Sequence, residues 1–145
     1  MNTTTHTFEP GAAAPQSDFA TARDSMALIA RLLLATIFVL SGFFKIGAAE
    51  GTIGYIASVG LPFAEPIYYA VIALEIIGGI ALVAGFKTRI VASALAAFSI
   101  AAAVFFHADF ADQNQFIHFL KNLALAGGLL QVAAFGAGRY SIDRE

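Results

Sequence analysis

The sequence predicts an all-α integral membrane protein, a four-helix bundle with both termini in the cytoplasm. Three observations carry that expectation. Hydrophobic residues make up 59% of the 145-residue chain and charged residues 12%, with a mean hydropathy of +0.77, whereas soluble domains carry about 25% charged residues. The charges fall mainly between four apolar runs, each close to the length that crosses a bilayer core. Finally, the cations between the runs collect on one side of the predicted topology.

Residues 1–24 are small and polar, with two prolines and no apolar period, and read as a flexible cytoplasmic tail. Residues 25–145 form the membrane domain. Its first span, residues 26–44, would rise about 28 Å as a helix. A cleaved signal peptide is the competing reading; a long non-basic leader and Arg31 inside the run speak against it. A glycine- and proline-broken connection follows, with room for a short amphipathic helix over residues 52–58. The second span, residues 67–86, begins after Pro66, a residue suited to a first helical turn. A tight turn at residues 87–89 leads to the third span, residues 90–106, whose many alanines suit close helix packing. A loop bearing His107, Asp109 and Asp112 precedes the fourth span, residues 116–135, and Gly136 and Gly138 form a helix stop. This topology puts Arg23, Lys87, Arg89, Arg139 and Arg144 on one side and Lys45 on the other. The basic side is expected to be cytoplasmic.

Composition narrows the function classes. A formal charge of −2 without a basic patch argues against nucleic acid as a partner. The absence of cysteine excludes disulfides, thiolate-ligated iron–sulfur clusters and covalently attached c-type haem, so no covalently bound cofactor is expected. No nucleotide, phosphate or hydrolase motif is present. His107 and His118 flank the loop that carries Asp109 and Asp112, but their spacing matches no metal motif, and no metal site is assigned.

Three charges lie inside the spans: Arg31, Glu75 and Lys121. Such residues usually face the protein interior and pair with one another. At helical spacing Lys121 shares a polar or small stripe with Asn114, His118 and Gly128; the stripes of Arg31 and Glu75 are mixed. Counted along the spans, Glu75 and Lys121 differ in depth by about 4–5 Å, and Arg31 lies about 7–8 Å deeper than Glu75. One carboxylate is therefore expected to meet two cations. Two readings follow. The cluster locks helix register and nothing more, or it holds a polar ligand or handles protons. In the second, Glu75 is the proton acceptor or hydrogen-bond anchor, Arg31 and Lys121 present donors to a ligand carbonyl, and Tyr68 or His118 gates the outer mouth.

The stretches "RLLLATIFVLSGFFKI" (31–46), "EIIGGIALVAGFKTRIVA" (75–92) and "GAGRYSID" (136–143) resemble the DoxX family of small four-helix bacterial membrane proteins. "DQNQFIHFLKNLALAGGLL" (112–130) resembles a subgroup with a Gln/Asn-rich start to its last helix. The residues matching the family pattern are Arg31, Gly42, Lys45, Glu75, Gly78, Gly79, Gly85, Arg89, Gly136, Gly138 and Asp143. The resemblance implies a multi-pass protein of the bacterial inner membrane. It also implies a link to redox or oxidative-stress complexes, since the family takes its name from a terminal-oxidase subunit and a related branch serves a thiosulfate:quinone oxidoreductase. A subunit of such a complex, contacting quinone through the Glu/Arg/Lys cluster, is the leading expectation; a stand-alone enzyme is not expected. The alternatives are a non-catalytic scaffold subunit and a small-solute or proton-coupled transporter. Expected partners are the bilayer, other membrane or peripheral proteins, and a second copy of the chain.

Overall fold

The computed structural model describes residues 16–144, with side chains from residue 19 onward. Those residues form five helices and no strand: α1 (Gln16–Gly47), α2 (Ala49–Ser58), α3 (Ala64–Ala84), α4 (Thr88–Phe106) and α5 (Gln113–Phe135). All but α2 are long and apolar enough to cross a membrane.

The first helix departs from expectation at both ends. Residues 16–24, expected in the tail, are helical; residues 1–15 lie outside the described residues. After Pro15 no proline interrupts the chain until Pro62, and the polar start of α1 is built from adequate helix formers. Hydropathy marks where a helix is apolar, not where it begins. At the other end α1 runs on through Lys45 to Gly47, so Lys45 belongs to the helix and not to the connection. The short helix α2 appears where the connection allowed one.

The long helices are packed in the order α1, α3, α4, α5 around the bundle. α1 lies closely along α3 and α4 along α5, and the two pairs meet more loosely. Glycine sets the α1–α3 spacing: a Cβ on Gly79 would sit 2.6 Å from a Val39 methyl, and one on Gly42 would sit 2.6 Å from Ile76 Cγ1. Gly78 faces Leu95 of α4 instead, so the Gly78–Gly79 pair lets α3 wedge between two helices. The core is correspondingly small-sided, with Ala35, Ala92, Ala96 and Ala126 beside Phe38, Leu82, Leu95 and Leu129. Large apolar side chains point outward, Leu33 at 71% exposure and Ile77 at 66%. A bilayer is the solvent in which that surface is stable.

The C-terminal segment closes the end of the bundle where α1 begins, α3 ends and α4 starts. Gly85 takes a left-handed conformation (φ 66°), and α3 ends in a Schellman pair, with Phe86 N donating to Ala81 O at 3.0 Å and Gly85 N to Leu82 O at 3.3 Å. Ile142 N and Asp143 N then donate to Ala84 O and Gly85 O at 3.0 and 2.9 Å. The Asp143 carboxylate accepts from Lys87 N (2.9 Å), Thr88 N (2.7 Å) and Thr88 Oγ1 (2.7 Å). It thus satisfies first-turn donors of α4, for which Lys87 at the cap position offers no side-chain acceptor. Gly138, close against Ala27, places the last residues beside the start of α1.

Candidate functional site

Arg31 is 1% exposed and does not reach Glu75. Its guanidinium donates to Leu82 O (3.0 Å) and Val83 O (2.9 Å) at the end of α3, and to Tyr140 O. The last carbonyls of a helix lack intrahelical partners and carry the negative end of its dipole. A buried cation placed there meets that negative end directly, with the Asp143 carboxylate adding to the attraction on Arg31. Arg89 does the same for α5, donating to Ala134 O at 2.8 Å and Ala133 O at 3.3 Å. The expected link between Arg31 and Glu75 is therefore corrected. Depth along a span left the pair within reach, but helix ends offered Arg31 nearer acceptors.

Glu75, 3% exposed, pairs with Lys45. Lys45 Nζ lies 2.9 Å from Oε1 and 3.0 Å from Oε2, and it also donates to Ser41 Oγ at 2.6 Å; that hydroxyl donates to Glu75 Oε1 at 3.1 Å. Ser41 and Lys45 stand four residues apart on α1, one turn above the other, facing the α3 seam that Gly42 opens. Lys45 was legible as a family residue, but the span boundary drawn at residue 44 hid its role. Tyr68, expected at a mouth, is buried, and its hydroxyl donates to Lys45 O at 3.1 Å. It buttresses the end of α1 and does not line the chamber described next.

The pair faces a partly open chamber of about 370 Å³, lined by residues of α1, α2, α3, α4 and α5, in the half of the bundle remote from the termini. Ile37, Phe38, Ile56, Phe98, Phe106 and Leu125 supply apolar wall. Ser41, Lys45, Tyr55, Glu75, His107, His118, Lys121 and Asn122 supply polar groups. Small-molecule sites are typically of about this size or larger, mostly apolar with a few convergent polar groups. Tyr55 roofs the chamber, its hydroxyl donating to Phe106 O at 2.8 Å and its ring packing on Phe106.

Lys121 thus shares a chamber with Glu75, as its stripe suggested, but makes no hydrogen bond or ion pair among the described residues. His118 stacks on His107 with ring centroids 5.1 Å apart, and His107 Nδ1 lies 2.7 Å from Gln115 Oε1. The nearby acids have local duties: Asp112 caps α5 by accepting from Gln115 N at 2.9 Å, and Asp109 accepts from Ala111 N at 3.1 Å. Among the described residues no three His or acidic groups converge as metal ligands. With the Glu75–Lys45 charges matched, Lys121 leaves the chamber net positive when both histidines are neutral.

Comparison with known proteins gives a consistent pattern. The DoxX family model matches residues 26–108. The inner membrane protein YqjF of Escherichia coli (strain K12) is 42% identical over 118 residues, covering 81% of this chain and 88% of that one. Inner membrane protein YphA of the same organism is 37% identical over 136 residues, covering 88% and 95%. A Bacillus subtilis (strain 168) chain named "Putative oxidoreductase CatD" is 39% identical over 64 residues, covering 44% and 46%. No solved structure matches the chain at a significant level.

Proposed function

This chain belongs to the DoxX family, as a multi-pass inner-membrane protein, and we propose that its chamber binds the head group of a quinone for a membrane redox complex. The observation that carries the reading is Lys121: an ammonium without a protein partner, facing an apolar-walled chamber beside a completed ion pair. The Glu75–Lys45 pair is already satisfied, whereas the exposed Lys121 ammonium at the chamber wall is left to donate to a ligand. A quinone fits this set, since its carbonyl oxygens are acceptors and its ring suits the aromatic and aliphatic walls. Lys121 would donate to one carbonyl, and His118 and Asn122 stand beside it on α5. Glu75, held by Lys45 and Ser41, keeps a proton-accepting group on the opposite helix. When bound, a quinone supplies two-electron, two-proton redox chemistry; this chain contributes binding, orientation and a proton-accepting group. The partial likeness to a chain named as an oxidoreductase lends support at the level of kinship.

The test is equilibrium binding of ubiquinone and menaquinone to the purified protein in detergent, wild type beside Lys121→Met. Wild type should bind at least one of them, and the variant about tenfold more weakly, near what one charge-assisted hydrogen bond contributes. Binding unaffected by Lys121→Met would sink the assigned role of Lys121. Absence of binding to wild type would end the quinone reading.

A further inference from the structure

We infer that the chamber is reached from within the bilayer, along a groove on the lipid side of α1, and that its ligand carries an apolar tail lying in that groove. The inference rests on the chamber being a ligand site, as proposed above. The groove measures about 440 Å³ and is lined by Ile37, Leu40, Ser41, Phe44, Lys45, Ala48 and Thr52. Four of these, Ile37, Ser41, Lys45 and Thr52, also line the chamber. They form the sill between the two spaces.

Packing explains why the gap is there. α2 leans on α3 and touches α1 only lightly, leaving the α1–α2 angle unfilled. The outer part of the groove is apolar and faces lipid, with Leu40 at 50% and Phe44 at 74% exposure. Polarity then rises inward, from Leu40 and Phe44 to Ser41 and Lys45 at the sill, and to the buried Glu75 beyond it. That gradient matches a molecule with a polar head and an apolar tail. Capacity points the same way. A volume of 370 Å³ equals the liquid volume of about a dozen waters, enough for a substituted ring but not for a long isoprenoid chain as well. The end of the chamber towards the α4–α5 loop is polar, with the stacked His107 and His118, and is roofed by Tyr55. A tail would be poorly solvated there and well solvated in the groove. The ligand class is therefore lipid-soluble and is drawn from the membrane, not from water.

The experiment compares two quinones with one head group, carrying one isoprenoid unit or many, titrated onto full-length protein in detergent. Leu40→Trp and Ala48→Phe each fill the groove at exposed positions that do not line the chamber. Thermal melts report that each variant is folded, and either one suffices. Both are expected to weaken the long-tailed quinone about tenfold and to leave the short-tailed one unchanged. Equal effects on both ligands, or none on either, would overturn the groove while leaving the chamber reading intact. Wild type that binds neither would remove both. A quinone with a photoreactive tail gives an independent readout: labelling of residues 40–48 is expected, and labelling confined to other helices would overturn the inference.

Discussion

At the scale of single residues, the charges within the helices divide their duties by position: Arg31 and Glu75 are buried, Lys45 is half-buried and Lys121 is exposed. Arg31 stabilises a helix end, Lys45 neutralises Glu75, and Lys121 has no protein partner. This division predicts unequal costs of removal. Lys45→Met leaves the Glu75 carboxyl, 3% exposed, without its counter-ion. Breaking a buried pair in this way costs about 3–5 kcal/mol; about 3 is expected here, because a quarter of the Lys45 side chain stays exposed (26%). Glu75→Gln should cost less, since its amide oxygen can still accept from Lys45 and Ser41. The double variant should cost less than the sum of the singles. A double-mutant cycle from unfolding in mixed detergent measures all three, and additive single costs would show that the two side chains do not interact. Lys121→Met should leave the same unfolding midpoint within about 0.5 kcal/mol, which separates a residue kept for a ligand from one kept for the fold.

At the scale of helices, stability resides at their seams and ends. Gly79→Val would drive a side chain into Val39 and separate α1 from α3, at a cost of about 1–3 kcal/mol for overpacking. Gly127 offers the contrast, since a Cβ there meets nothing within 4 Å. Gly127→Ala should therefore be neutral or stabilise by up to about 1 kcal/mol through helix propensity. Thermal melts of the two variants should shift in opposite directions or by clearly different amounts. The clasp at the end of the chain responds to pH. The Asp143 carboxyl is held below its ordinary value of 3.8, chiefly by the Thr88 N–H, then by the Thr88 hydroxyl, with Lys87 N–H and Arg31 adding to the effect. A carboxylate depressed in the folded state stabilises it above the unfolded value and loses that contribution as pH falls through the folded one. Amide exchange over residues 139–144 should thus rise below pH 3.8 in wild type. In Asp143→Asn it should already be faster at pH 7 and change little with acid once intrinsic exchange rates are divided out. A pH-independent wild-type clasp would contradict the assignment.

At the scale of the whole molecule, the bundle was legible in hydropathy because span length and apolar content are local properties, and α3, α4 and α5 begin within three residues of the expected spans. The site was legible in part. Glu75, His118 and Lys121 do line one chamber, and they were found because an ionisable group in an apolar run is conspicuous. Lys45 escaped because it sits at the margin of its run, where a charge looks ordinary, and Arg31 was mispaired because backbone carbonyls leave no trace in side-chain patterns. Orientation follows from the same accounting. Arg23, Lys87, Arg89, Arg139 and Arg144 all lie in or next to segments at the end of the bundle that holds both ends of the described chain. The single opposing cation outside the first expected span, Lys45, proves to be a helix residue bound to Glu75. We therefore expect both termini in the cytoplasm and the chamber in the outer half of the membrane. A reporter active only outside the cytoplasm, fused after Glu145, should stay silent, and one that fluoresces in the cytoplasm should be bright. Lys45→Met should leave both signals unchanged per molecule inserted, because it removes a cation that opposes the bias. An active external reporter would invert the topology and move the chamber to the cytoplasmic half, where the two histidines would sample cytoplasmic pH.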